Sequence, residues 1–484
     1  MKVSRSESSF ANAYSRFRRN LFSQLILLSI GTLVHMPIVL ASSSVGADGE
    51  RTSRISDEAV TELDLDAMPK RPKLFIEWGP DFLGNGNIPR GIELPTGAIW
   101  QPTLIVFGTY RTALQAFHRD DETASEWANQ MDLFANLQLS GSERFLLGIR
   151  PMQEDGRFTS YQFGPDNGFD DDTGWNDETN VEITTFFFEG DFGEIFPNLD
   201  REDRKHLDIG FSVGRQPLNY QAGMLINDSI DALGVTRNTL LPKGTSDLQL
   251  TFLFGWNDIH RGDNIEKSNQ KLYGFFMAMD RHRTTINVDL VYVDDRNGDD
   301  DGFFWGVSDI RRIGHFNLSS RILGSHALEE ESLAVGDGYL LFAELSWTPA
   351  WTDDNVYINA FLGIDDFTSA ARDPSTGGPL GRTGILFQAI GMGRYGAPLG
   401  NQATESVGGA IGYQWFINPI KNQFIFEFGA RQGTESGGLR SVAGGMRYRH
   451  VLGQHTVFQF DLFGTINESR DDDFGARLEF RFEF

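Results

Sequence analysis

The chain has 484 residues with 67 acidic against 42 basic side chains, a formal net charge of −25, 53 glycines, 40 phenylalanines and no cysteine. The lack of thiols excludes a disulfide scaffold, a thiolate metal site and a cysteine nucleophile, and the negative charge argues against a nucleic-acid partner. So many glycines beside so many phenylalanines suit tight turns joining aromatic-rich strands.

At the N-terminus, Arg5, Arg16, Arg18 and Arg19 precede an uncharged run from Leu21 to Leu40, with small residues at Val39-Leu40-Ala41 and again at Val45-Gly46-Ala47. This is the pattern of an export signal over 1–47, cut after Ala41 or Ala47. The run is also long enough for a transmembrane helix, but Gln24, His35 and Pro37 interrupt it and the small-residue sites favour removal. No later stretch approaches that length, so membrane residence must come from strands. A closed barrel is then the only spanning structure that pairs all of its backbone groups. Residues 48–102 form a periplasmic lead-in: Asp48 to Lys73 is polar, charged and expected to be disordered, and the Gly- and Pro-rich Leu74 to Trp100 is expected to be a small plug or an irregular approach to the wall.

From residue 103 to the end the chain alternates apolar and polar residues between turn signals. The expected strands are 103–117, 128–139, 143–150, 181–190, 206–214, 231–240, 247–255, 271–279, 284–293, 302–309, 314–324, 338–348, 355–364, 406–416, 422–431, 439–450, 455–466 and 474–484. About 18 strands, an even number, make one antiparallel transmembrane β-barrel over 103–484, an all-β fold. In the last strand Phe474, Ala476, Leu478, Phe480, Phe482 and Phe484 share one face and Gly475, Arg477, Glu479, Arg481 and Glu483 the other, lipid on one side and water on the other.

Short connections are periplasmic and long ones extracellular in bacterial barrels. With both chain ends in the periplasm, the acidic segments Arg119 to Glu122, Asp170 to Asp172, Asp299 to Asp301, Glu329 to Glu331 and Asp471 to Asp473 fall outside. Counting Ile385 to Ile390 as a strand would invert this parity, so 365–405 is one long extracellular loop. Its apolar middle is expected to fold into the lumen as a constriction or to pack on the rim. Trp347 and Trp351, flanking Pro349, fall at the periplasmic edge, where an aromatic girdle belongs.

Sorting by face puts Arg144, Arg150, Arg215, Arg321, Arg431, Arg447, Arg449, Arg477 and Arg481 on the inner wall, with Asp132, Glu182, Asp208, Asp289, Glu344, Glu427, Asp461, Glu479 and Glu483 facing them. Such a charged lumen is wide enough at this strand number for an aqueous channel. Arg431, Arg447, Arg449, Arg477 and Arg481 form a basic stripe on neighbouring strands. It either filters charged solutes or, paired with acids such as Glu427 and Glu479, braces the wall.

The segment Gly210-Phe-Ser-Val-Gly-Arg215-Gln216-Pro-Leu-Asn-Tyr220, continuing to Asp231, reads as the end of a strand entering a turn-rich loop. Its Gly-Arg-Gln core resembles the alginate-export family of outer-membrane porins. The resemblance, carried by Arg215 and Gln216, implies a monomeric eighteen-stranded barrel of a family in which some members pass an anionic exopolysaccharide through an arginine-lined lumen; outer-membrane lipid, a hydrophilic or polysaccharide solute and a periplasmic export partner are the expected partners.

Asn297, Asp299 and Asp301, followed by Gly302, have the oxygen ligands of the first half of a calcium loop. A complete loop needs Glu six residues after that glycine, where Ser308 stands, so a solvated acidic hairpin is the first expectation and Ca²⁺ at the loop tip the second. No Gly-x-Ser-x-Gly nucleophile elbow occurs and most histidines fall in the signal, loops or turns, so no enzyme is expected. The expected function is an outer-membrane channel for hydrophilic solutes, carbohydrate or anionic, exporting an exopolysaccharide in its most specific form. The alternative is a structural or adhesive barrel with a closed lumen and ion-binding loops.

Overall fold

The computed structural model describes residues 73–79, 90–119, 122–154, 156–163, 173–199, 207–262, 269–296, 300–329, 332–417, 421–435 and 438–484. The chain divides into two units, Met1–Lys70 and Arg71–Phe484. All described residues belong to the second, so the export signal lies outside them.

Eighteen antiparallel strands make the wall. They are β1 (Thr103–Arg119), β2 (Glu122–Gln138), β3 (Arg144–Ile149), β4 (Ile183–Asp191), β5 (Ile209–Tyr220) and β6 (Ile226–Leu240). They continue as β7 (Asp247–Asn257), β8 (Gln270–Arg281), β9 (Thr284–Asp295), β10 (Gly302–Ile313), β11 (Phe316–Ala327) and β12 (Gly338–Trp347). The last six are β13 (Asn355–Asp365), β14 (Ser406–Ile417), β15 (Asn422–Gly433), β16 (Arg440–Val451), β17 (Thr456–Asn467) and β18 (Asp473–Glu483). Each pairs with the next, and β18 returns to pair with β1, Arg481 opposite Arg111. The ring has no open edge, which is what lets strands stand in a medium without water.

The alternation sets the faces. Phe252, Phe428 and Phe474 are 60%, 67% and 57% exposed on the outside, while their chain neighbours Leu253, Glu427 and Asp473 are buried within. Apolar side chains outside and carboxylates inside are the reverse of a soluble sheet, and the outer surface is one for lipid. Aromatic rings band both ends. At the short-turn end Trp415, Phe424, Tyr448, Phe458 and Phe480 contact one another in sequence from strand to strand, and Trp347 lies 5.6 Å from Phe316. At the loop end Phe254, Tyr273 and Tyr292 do the same.

The terminal Phe484 closes the seam: Gly108 N–H donates to its carbonyl at 2.8 Å and its own N–H to the Gly108 carbonyl at 3.1 Å. Below that point β1 has outrun β18, and Ile76–Trp78 takes the vacant place beside Leu104 to Val106. Ile92–Glu93 and Ile99–Trp100 form a small hairpin of their own. The described part of the lead-in thus contributes one short segment beside the wall and one small hairpin.

One local expectation is corrected. The segment after Gly210 does not leave the wall at 214: β5 continues through Arg215 to Tyr220, a tight turn at Gln221–Gly223 follows, and β6 starts at Ile226. Gly214 holds φ +123°, and a Cβ there would collide with the Phe186 carbonyl. That glycine lets the strand continue through a conformation other residues resist, so it reads as a turn signal while serving a strand.

Candidate functional site in the lumen

The connection between β13 and β14 enters the barrel, the first of its two expected courses. Ile385 and Leu386 donate their N–H groups to the carboxylate of Glu427 on β15 at 2.9 and 3.1 Å, and Tyr357 of β13 donates its hydroxyl to the same group. Gly384 holds φ +53° with the Glu427 carboxylate where a Cβ would be, so a larger residue there would have to displace that carboxylate. Beyond it, Gln115 of β1 donates to the Met392 carbonyl at 3.2 Å, Arg119 to Ala397 at 3.1 Å and Arg431 to Leu399 at 3.1 Å. Phe387 meets Phe361 edge to face, and Tyr395 packs with Phe117 and Phe463 in a cluster of three mutually contacting rings. The inward loop fills the side of the lumen walled by β13 to β18 and β1 to β2.

The start of the same loop is sewn to the outer turns. Ala371–Arg372 runs parallel to Ile226 and Asn227. Ala370 N–H donates to Leu225 and Arg372 N–H to His260, at 2.9 and 3.0 Å. The Arg372 guanidinium, lowered to about 10 by burial, donates to Gly223 and Ser369. Leu225, Ile226, Ile259, Val335, Phe367 and Ala371 bury one another here in an apolar cap.

The basic stripe lies on the inner face, where Arg431 and Arg447 touch the inward loop, and much of it is paired. Asp461 of β17 binds Arg447 and, at 3.3 Å, Arg477. Glu479 binds Arg477, Arg481 at 3.6 Å and Arg111 at 2.7 Å. Arg447 also donates to Gln388 of the inward loop at 2.7 Å. Arg449 donates to Gln459 at 2.8 Å and Arg431 to Ser406 at 3.1 Å, and neither makes an ion pair among the described residues. Arg111 and Asp461 are integral to this network; Arg111 was missed because it sits mid-strand in an otherwise apolar and small-residue stretch.

On the other side, against β5 to β11, a cavity of about 450 Å³ stays open. Tyr220, Gln221 and Ala222 of the inward turn roof it at the loop end, and Ser212, Thr236 and Gln249, near the short-turn ends of their strands, line its lower part. Gln221 and Ala222 have φ of +53° and +55°, the conformation that turns the connection inward. Gln221 donates to Asp289 at 2.7 Å, and Tyr220 stacks on Phe276 with ring centroids 3.5 Å apart. Gln216 lines this cavity as an inward residue and donates to the Ala232 carbonyl at 3.1 Å. Arg321 lines it from β11, with its guanidinium 5.8 Å from the Phe342 ring.

Arg215 is the exception among the sequence candidates. Gln216 is inward, so Arg215 is outward; its partner across the sheet, Phe186, is 51% exposed, and Val213 on the same face is 40% exposed. At the loop end of β7 it is neutralised by Asp231, at 3.2 Å, and Asp258. The misplacement has a physical cause: with β5 taken to stop at 214, no alternation remained to fix its face. In the calcium motif Asn297 and Asp299 lie outside the described residues. Asp301 accepts from the Tyr292 hydroxyl at 2.9 Å and the Asp295 N–H at 2.7 Å, fastening its own hairpin.

No protein-family model matches the chain, and no curated protein matches it. Solved structures do. A BenF-like porin from Pseudomonas fluorescens Pf-5 is similar at 11% identity and TM-score 0.52, over 79% of this chain and 98% of that one. OccK2 (OpdF) of Pseudomonas aeruginosa in complex with glucuronate is similar at 11% identity and TM-score 0.52, over 79% and 98%. OccAB3 of Acinetobacter baumannii is similar at 10% identity and TM-score 0.51, over 78% and 99%. At such identities the likeness concerns the fold, a large outer-membrane barrel.

Proposed function

We propose that the protein is a passive outer-membrane channel for small hydrophilic solutes, in which the 366–405 connection narrows the lumen and the β5 to β11 side provides the route. The observation that carries this reading is the polar cavity of about 450 Å³ left beside the inward loop, a volume in the range of small-molecule sites. Its scale favours a solute of monosaccharide or amino-acid size over a polymer. The export of an exopolysaccharide, which the Gly-Arg-Gln resemblance implies, gains no support from Arg215, whose charge lies on the outer face beside Asp231. The glucuronate of the OccK2 complex supports carboxylated, sugar-sized compounds among the solutes.

A closed structural barrel is the competing reading, favoured by the many bonds that hold the inward loop. Planar-bilayer recording separates the two. Ion-conducting steps from the native protein, enlarged when 374–403 is replaced by a short glycine linker, are the expected result. Silence from both proteins would overturn the channel reading.

A further inference from the structure

The cavity against β5 to β11 holds two charged groups of opposite sign that do not satisfy each other. Asp289 of β9 is 3% exposed, and among the described residues its carboxylate receives one neutral donor, the Gln221 amide, and no cation. It stands directly across the sheet from Phe276, on which Tyr220 stacks. Arg321 of β11 lines the same cavity; its Nε is buried without a hydrogen-bond partner and it makes no ion pair among the described residues. Glu344 is its nearest acid by register, one step diagonal, since Arg321 faces Phe342 and Ser319 faces Glu344. Asp289 faces Gly306 and Arg321 faces Ser308, so two strand spacings and two residues separate them, about 12 Å between Cα atoms.

A buried carboxylate without a cation is costly, and a ligand that brings the opposite charge removes the cost; Arg321 is partly buried and feels the charge of Glu344, with no acid in ion-pair contact among the described residues. A carboxylate beside aromatic rings is the arrangement that receives an ammonium group, through charge and through the ring quadrupole. A guanidinium with an unused N–H is the one that receives a carboxylate. Asn287, Ser308, Thr251 and Gln249 offer neutral polar groups along the same cavity.

We infer that this chamber is a binding site for a small zwitterion, its ammonium held by Asp289 beside Tyr220 and Phe276 and its carboxylate held by Arg321. The inference rests on the channel reading for its purpose but not for its test, because binding is measured on the folded protein whether or not it conducts. The separation of the two groups suits an amine and a carboxylate at opposite ends of a short chain.

The experiment is calorimetric titration of the detergent-folded full chain with 6-aminohexanoate, using hexanoate and hexylamine as singly charged probes of the same length. Saturable binding of 6-aminohexanoate is expected, with each singly charged probe weaker by about tenfold or more. Asp289→Asn is expected to weaken the zwitterion while leaving hexanoate unchanged, and Arg321→Gln to weaken it while leaving hexylamine unchanged. Heat-modifiable gel mobility confirms that each variant is folded. Equal binding of all three probes, no binding of 6-aminohexanoate, or indifference to both substitutions in folded protein overturns the inference. Ion conduction without such binding leaves the channel reading standing, and binding without conduction removes the channel reading alone.

Discussion

Glu427 on β15 accepts the backbone N–H of Leu386 at 3.1 Å, so a wall carboxylate holds the inward loop. The same group takes the N–H of Ile385 and the hydroxyl of Tyr357, and each hydrogen bond to a charged acceptor contributes about 1.5 to 3 kcal/mol. Glu427→Ala is therefore expected to release the loop without dissolving the barrel. Single-channel recording should show a larger conductance or longer open times. Gly384→Ala, which places a methyl group against the carboxylate at a left-handed φ, should act in the same direction. Native conductance from both variants would show that the loop is held elsewhere.

Leu462 is 47% exposed on the outer face of β17, one residue from the inward Asp461. If that face meets lipid, Leu462→Arg should destabilise the barrel by about 2 to 4 kcal/mol, as a cation near the bilayer midplane does, while Leu462→Phe stays close to native. Urea unfolding in lipid vesicles measures the difference. A tolerated arginine would contradict the assigned facing.

The wall was legible because alternation of period two is imposed by lipid on one side and water on the other, and that constraint acts along each of the wall strands between Thr103 and Glu483. The inward course of Ile385 to Ile390 was legible only as one of two courses, since an apolar run says that a segment is covered but not by what. Glu427 was marked as an inward acid; that it receives two loop amides depends on the path of residues 41 and 42 positions away. The turn at Gln221–Gly223 was hidden for a different reason. Gln221 and Ala222 hold positive φ there, which their residue types do not announce, and the continuity of β5 into β6 and the facing of Arg215 depended on it. The pairing of Arg477 with Asp461 and of Arg111 with Glu479 turns on register between strands, which alternation alone leaves free.

Arg449 gives the basic stripe a test of its own. Asp461 and Glu479 are the acids of a shared network with Arg447, Arg477, Arg481 and Arg111, two carboxylates that offset part of the charge of four arginines, whereas Arg449 makes no ion pair among the described residues and is held by the neutral Gln459. Arg449→Ala should therefore shift the reversal potential under a salt gradient toward cations, an effect that persists at moderate salt because charges in a narrow channel are weakly screened. Asp461→Asn should chiefly lower stability, since it leaves the buried Arg447 without its acid partner and Arg477 with Glu479 alone. An unchanged potential for Arg449→Ala would show that the route for ions avoids this side of the lumen.

Where the inward loop returns to β14, acids crowd together. Loss of solvent, then a side-chain hydrogen bond with Glu435 and the charges of Glu435, Asp365 and Asp366, raises the Glu405 carboxyl above its ordinary value. The backbone binds the same residues to one another: Glu405 N–H donates to the Asp365 carbonyl at 3.0 Å, and Thr434 N–H to the Glu405 carbonyl at 2.7 Å. A carboxyl whose folded value is raised contributes stability that is fully present below its unfolded value and is lost as pH rises through the folded one. Acid should thus tighten the clasp between 365–366, Glu405 and Glu435, and neutral pH should loosen it through repulsion among the ionised groups. Conductance is expected to fall as the outer side is acidified through the carboxylate range, and Glu405→Gln should remove much of that dependence by taking away the group that must ionise. The check is bilayer recording with the pH varied on one side at a time. A response to the short-turn side alone, or one that survives intact in Glu405→Gln, would place the pH-sensitive group elsewhere in the barrel.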